Sequence, residues 1–341
     1  MSQNLPIIIS SSFGRTSAYM TDELVERYPN RQLYIVFANT GQERPETLEF
    51  GRLCAERWAA KGHKTIWLEA VIHPKKGVAT SFRYVDYATA YRPEYSWNPD
   101  YGKEEGFENP LYSPKYAALM ATRPPEWGNP FEAAIAKYGV ANNSFPHCTR
   151  ELKIQVIGAW IKAHFEPGQF EMALGIRADE QEREGKWWYP LIEWGVTKAI
   201  VRAYWRAQPF DLQLDDYEGN CGDCWKKGLD KILTLLERLP VLGLFTLKME
   251  RLYKYVTPAE EDRRMTNGMR PLPLLDTLDI ATDGLPAKRG GPFFFNHNGV
   301  SMELMYEMVK RGKFRRIKDG EDVRSCACGV EFENLFSQPT P

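Results

Sequence analysis

Two sets of residues in this sequence have the types and spacing for chemistry. The first is the run Ser12-Phe13-Gly14-Arg15-Thr16-Ser17. If a helix begins there, its unpaired backbone N–H groups and its dipole favour an anion, Gly14 allows close backbone approach, and the hydroxyls of Ser12, Thr16 and Ser17 add donors. That describes a phosphate cradle; a serine-rich turn with an ordinary Ser or Thr N-cap is the other use of the same residues. The run is neither a Walker A loop, which ends in Gly-Lys-[Ser/Thr], nor the dinucleotide fingerprint. The second set is cysteine, at positions 54, 148, 221, 224, 326 and 328. Cys221-Gly222-Asp223-Cys224 ahead of a helix can put two thiolates on one metal, and iron–sulfur clusters and zinc both accept that geometry; a redox dithiol is a third use. Cys54 falls on the apolar face of an expected helix and reads as core. His147, at a helix start, reads as a capping or packing residue.

These residues need elements to hold them. Leu5 to Ser10 is a short β-branched run, and Thr16 to Tyr28 carries apolar residues at helical spacing up to Pro29. A second strand follows over 33–38, a second helix over 46–61 and a third strand over 65–71. Strand, helix, strand, helix, strand predicts an α/β fold: an open parallel sheet with helices on both faces and right-handed crossovers. Residues 75–128 are rich in Tyr, Trp, Pro and Gly without a sustained period, which predicts a lid-like, aromatic-rich insertion. Helices are expected over 130–138, 149–165, 196–205 and 226–239, and a strand over 170–176. Gly290-Gly291-Pro292-Phe293-Phe294-Phe295 reads as a buried turn and strand. The loop of residues 12–17 and the segments Asn39-Thr40-Gly41, His147 to Ile154 and Gly175-Ile176-Arg177 all fall at strand C-termini or helix starts, where open α/β sheets bind ligands.

Taken together, these segments resemble the phosphoadenylyl-sulfate (PAPS) reductase family of the ATP-pyrophosphatase, or PP-loop, superfamily, whose fold is the adenine nucleotide alpha hydrolase-like sheet. The matching pieces are its Ser-Phe-Gly-x-x-Ser loop, its Thr-Gly-x-x-x-Pro-Glu-Thr segment, its Cys-x-x-x-Leu-Lys element and its Gly-x-Arg strand end, in order over residues 5 to about 228. The resemblance implies an adenine-nucleotide site built from Ser12, Phe13, Gly14, Arg15, Thr16, Ser17, Asn39, Thr40, Gly41, Gly175 and Arg177. Arg177, with Arg183 as a second candidate, would clamp phosphate or sulfate oxygens; a surface salt bridge is the alternative role for Arg177. It leaves room for magnesium beside the nucleotide, although Thr16 stands where many ATP-pyrophosphatases carry Asp.

The same resemblance implies an iron–sulfur cluster, 4Fe–4S by type, on Cys148, Cys221 and Cys224, with Cys326 or Cys328 as a fourth ligand. Two reactions then compete. In an ATP-dependent sulfurtransferase, ATP adenylylates an acceptor, nucleic acid among the candidates, and a sulfur donor protein or the cluster delivers sulfur; the catalytic set would be Ser17, Arg177 and Cys328. In a sulfonucleotide reductase, PAPS or adenylyl sulfate is the substrate and a C-terminal cysteine attacks sulfur. Its Glu-Cys-Gly-[Leu/Ile]-His motif is matched only by Ala327-Cys328-Gly329-Val330-Glu331, without the Glu and the His. The cysteine pattern looks more like the proteins of DNA phosphorothioation and their phage-borne relatives, which favours sulfur transfer. A nucleotide-binding regulator without chemistry is the third reading.

Composition sets the outer bounds. The chain has 341 residues, 44 Lys plus Arg against 45 Asp plus Glu, a net charge of −1 and 43% hydrophobic residues. It is therefore a folding chain without a global pull toward nucleic acid or anionic lipid. A nucleic-acid contact would have to use a local patch, for which residues 310–318 are the densest basic run; a solvated helix face offset by Asp319, Glu321 and Asp322 is the alternative. No apolar run approaches membrane-spanning length and Pro6 to Ile9 lacks a basic region before it, so the expectation is a cytoplasmic protein without a membrane partner. Two units are expected, a nucleotide-binding domain over 1–228 and a helical or mixed extension over 229–341.

Overall fold

The computed structural model describes residues 5–75, 77–142, 146–222, 224–254, 256 and 300–318. Its centre is a five-stranded sheet of β1 (Ile7–Ser11), β2 (Leu33–Asn39), β3 (Thr65–Val71), β4 (Ser81–Val85) and β5 (Glu171–Leu174), in the order β4-β3-β2-β1-β5. β1, β2, β3 and β5 run parallel. The expected all-parallel sheet needs one correction, because β4 pairs antiparallel with β3, with Leu68 opposite Tyr84. β4 lies at the edge and is only half-buried, so it lacks the continuous apolar run that marks the inner strands.

Helices cover both faces of the sheet, and others pack in a separate cluster. Among the described residues the longer ones are α1 (Arg15–Arg27), α2 (Pro45–Ala59), α3 (Pro114–Thr122), α4 (Pro130–Tyr138), α5 (Gln155–His164), α6 (Lys198–Arg206), α7 (Leu229–Arg238), α8 (Leu244–Tyr253) and α9 (Met302–Arg311). Side chains alternate along each strand, so Ile7, Ile9, Ile35 and Phe37 meet α1, α2 and α6 through Met20, Leu24, Trp58 and Trp205. Ile8, Val36 and Leu68 meet α4 and α5 through Ile135, Val156 and Trp160 on the other face. A third core joins Leu233 and Leu236 of α7, Leu247 of α8 and Met305 of α9 to Tyr95 of the insertion.

The aromatic-rich insertion is held down by charge. Glu69, wholly buried at the end of β3, takes two hydrogen bonds from Arg123, at 2.7 and 3.2 Å, and one from the Asn39 amide at 2.8 Å. The Tyr91 backbone N–H adds a fourth at 2.6 Å. A buried carboxylate is tolerated when it is paired and its lone pairs are filled, and this one is. The run Gly290 to Phe295 and the close pair Cys326 and Cys328 lie outside the described residues.

Candidate functional site

The sheet order places a crevice. The chain moves from β1 outward through β2 and β3, then returns to add β5 on the far side of β1, so the direction of winding reverses between β1 and β5. In open α/β sheets ligands bind outside the carboxyl ends of the strands at that reversal. A cleft opens there, walled by Ser12, Gly14, Thr16 and Ser17 on one side and by Lys153, Gly175, Arg183 and Lys227 on the others.

The β1–α1 loop is anchored from beneath. Phe13 has φ 52°, the left-handed region that a bulky side chain rarely adopts, and is the one described non-glycine residue with positive φ. Its ring pays for that conformation in the core, where it is fully buried and stacks on Phe37 at 4.1 Å and lies 4.8 Å from Trp67. Gly51 of α2 makes the slot, since a Cβ there would come within 2.2 Å of the Phe13 ring. Phe13 thus shapes the cradle from the core and does not line the cleft.

Above Phe13 the backbone folds into a tight set of donors. The Ser12 N–H donates to the Ser17 hydroxyl at 3.1 Å, the Ser12 and Ser17 hydroxyls lie 3.2 Å apart, and the Ser17 hydroxyl donates to the Gly14 carbonyl at 3.1 Å. α1 starts at Arg15 with Gly14 as its N-cap, no side chain capping it and no acid in its first turn. Among the described residues its first N–H groups therefore have no side-chain acceptor, and its own first turn carries no negative charge to offset the positive end of its dipole. Gly175, at the end of β5, lets that strand approach so closely that a Cβ would stand 3.2 Å from the Ser17 Cα.

The cations around the cleft differ in how far they are already neutralised. Arg15 lines the cleft but is held by both oxygens of Asp211, at 2.7 and 3.0 Å, and the carboxylates Glu180 and Asp216 line the cleft with it. Arg177 reaches Asp179 at 2.9 Å, Glu180 at 3.1 Å and the Thr16 hydroxyl at 3.1 Å, so it braces the start of α1 while sitting in an ion pair. Arg183 pairs with Glu180 at 2.8 Å. Lys153 pairs with Glu43 at 3.1 Å, and Glu43 is fully buried with its Oε2 unpartnered. Lys153 and Lys227 were missed as site residues at the sequence level. Lys153 sits on a π-helical turn, Arg150–Ile154, between the short helix His147–Thr149 and α5, where a continuous helix was expected. Such turns are frequent at functional sites; here Leu152 is wholly buried while Lys153 faces the cleft.

The remaining predicted residues separate into two places. Asn39 is wholly buried and serves the Glu69 network, its Oδ1 also accepting the Gly41 N–H at 3.3 Å. Thr40 joins Cys148, Cys221 and Cys224 around a small, mostly apolar pocket next to the cleft, with Phe131 and Trp225, and Cys221 and Cys224 line the cleft as well.

That pocket corrects the metal expectation. Among the described residues no group of three or more His, Cys, Asp or Glu side chains is placed to hold a metal ion. The Cys148 sulfur accepts the Trp225 indole N–H at 3.3 Å, and the Cys221 sulfur lies 3.9 Å from the Thr40 hydroxyl, with Phe131 and Trp225 also lining the pocket. The iron–sulfur cluster on Cys148, Cys221 and Cys224 is therefore set aside. The sulfur-transfer reading that used the cluster goes with it; the sulfonucleotide-reduction reading rests on Cys328, which lies outside the described residues, and neither is carried further.

Other predicted features have local explanations. Cys54 is core, and burial pushes its thiol pKa well up. His147 is fully buried with its Nε2 2.7 Å from the Gly139 carbonyl. In the basic run 310–318, Lys310 pairs with Glu307 at 2.8 Å and Arg316 with Glu237 at 2.6 Å, which offsets part of the patch. No helix among the described residues is long and apolar enough to cross a membrane.

Comparison with known proteins adds one relationship. The chain is 29% identical over 231 residues, 66% of its own length and 67% of the relative's, to an uncharacterized nin region protein, ORF290, of Escherichia phage lambda. No family model matches the sequence, and no solved structure matches it significantly.

Proposed function

We propose that this chain is a nucleotide-binding enzyme of the ATP-pyrophosphatase type, which holds an adenine nucleotide by its phosphates in the cleft between β1 and β5. One observation carries the reading: α1 begins at the strand-order reversal with neither a side-chain cap nor an acidic residue in its first turn, and shares the cleft with Lys153, Arg183 and Lys227. An anion is the group that such a surface lacks. The likeness of residues 12–17 to the superfamily's loop supports the same reading, and the phage relative's name assigns no activity.

In this reading the α1 N–H groups and the Ser12 and Ser17 hydroxyls hold phosphate oxygens. Lys153 and Arg183 exchange part of their contact with Glu43 and Glu180 for the ligand. When water or an acceptor oxygen bonds to the α-phosphorus, losing its proton to solvent, and the bond from that phosphorus to pyrophosphate breaks, donors fixed before the ligand arrives stabilise the negative charge on the phosphate oxygens without rearrangement. Adenine nucleotides are abundant in the cytoplasm, where we place the protein.

The test is incubation of the full chain with ATP, with equilibrium dialysis for binding and separate assays of AMP and pyrophosphate. Saturable binding with equal release of AMP and pyrophosphate supports the proposal. Release of ADP and phosphate would change the reaction, and absence of binding would remove the reading.

A further inference from the structure

Lys227 is a buried cation without a buried anion. Its side chain is 2% exposed, yet it lines the cleft. Its ammonium donates to the carbonyls of Cys221 and Gly222, the latter at 2.7 Å, and among the described residues no carboxylate lies within ion-pair distance. An ammonium has three N–H donors. Two are taken by carbonyls, and the third has no acceptor among the described residues. Taking such a charge out of water is costly unless an opposite charge completes it, and carbonyl dipoles only partly do so.

The position of this charge is set by the turn it holds. Gly219 has φ +64° and packs against the ammonium, with a Cβ there 3.8 Å from Nζ. Next to it, the Asn220 amide donates to the Ser12 carbonyl at 2.8 Å, and the Asn220 carbonyl accepts the Arg44 N–H at 2.6 Å. The turn 219–222 therefore ties Lys227 to the loop before α1, and both line the same cleft. The cleft thus holds two separate positive centres, the start of α1 and the Lys227 ammonium.

We infer that Lys227 is a specificity residue that binds a second phosphate of the ligand, so that the cleft selects nucleoside di- or triphosphates and pyrophosphate over monophosphates. This rests on the nucleotide reading above and goes further by naming the residue that discriminates ligands by their number of phosphates. A monophosphate can satisfy the start of α1 but leaves Lys227 uncompensated; a chain of two or more phosphates satisfies both.

The test is calorimetric titration of the full chain with ATP, ADP, AMP, inorganic pyrophosphate and inorganic phosphate, in the wild type and in Lys227→Met and Lys227→Gln. The wild type should bind ATP and pyrophosphate at least about tenfold more tightly than AMP and phosphate, respectively. In a folded Lys227→Met or Lys227→Gln protein the ATP and AMP affinities should converge, with AMP affinity within about twofold of wild type. Wild-type protein that binds pyrophosphate and phosphate equally overturns the inference, whether or not a variant folds. A folded variant that keeps the full ATP preference also overturns it. Failure of every nucleotide and anion to bind the wild type would instead remove the nucleotide reading on which it stands.

Discussion

The Cα of Ser17 and the backbone of Gly175 are in such close approach that a single added methyl group at position 175 would sit 3.2 Å from it. The contact joins the end of β5 to the first turn of α1, the two walls whose spacing defines the phosphate cleft. Gly175→Ala should therefore force α1 and β5 apart. The expected result is a loss of about 1–3 kcal/mol of stability from overpacking and weaker nucleotide binding in the protein that remains folded. Urea unfolding and dialysis against ATP check both, and an unchanged urea midpoint would show that the walls can yield without cost.

The pairing of Glu69 with Arg123 fixes the insertion to the sheet. Replacing Arg123 by Met leaves the Glu69 carboxylate buried with its charge uncompensated, which should cost about 3–5 kcal/mol. Adding Glu69→Gln to Arg123→Met should recover part of that loss, since the stranded charge is then removed. A double variant less stable than the single one would show that the network works through shape more than through charge.

His147 gives the protein a pH signature. Burial, the largest cause, lowers its pKa to about 3, while its ordinary value is 6.5. Between those values the unfolded chain binds the proton and the folded one does not, so stability is complete above pH 6.5 and falls as the pH drops toward 3. The slope from this group is about 1.4 kcal/mol per pH unit, or about 2 kcal/mol between pH 7 and pH 5. His147→Asn should lower stability at pH 7 and flatten the dependence over that range. Urea titrations at pH 7, 6 and 5 measure it, and an equal slope in variant and wild type would contradict the assignment to His147.

The inner strands were legible because they are buried on both faces and read as short β-branched runs; β3 falls on 65–71 as expected, and α4 on 130–138. β4 was not, because Ser81-Phe82-Arg83-Tyr84-Val85 is a half-exposed edge with a weak alternation, held in place by pairing with β3. The cradle was legible from Ser12 to Ser17 because its signal is local. Lys153 stands in the Cys-x-x-x-Leu-Lys element, but its place in the cleft depends on a π-helical turn that helical periodicity cannot show; Lys227 was not legible, because it depends on a turn folded back over 200 residues from the loop it faces. The cysteine pattern misled for a related reason, since spacing brings Cys221 and Cys224 near each other but does not decide where Trp225 and Phe131 pack.

The most direct measurement of the central claim is calorimetric titration of ATP into the full chain and into a Ser12→Ala, Ser17→Ala double variant. If the loop holds the phosphates, the wild type binds ATP at one site, and loss of the two hydroxyls weakens binding by about 2 kcal/mol, roughly thirtyfold, with the fold intact by circular dichroism. Equal affinity in the two proteins, or no heat of binding in the wild type, would contradict it.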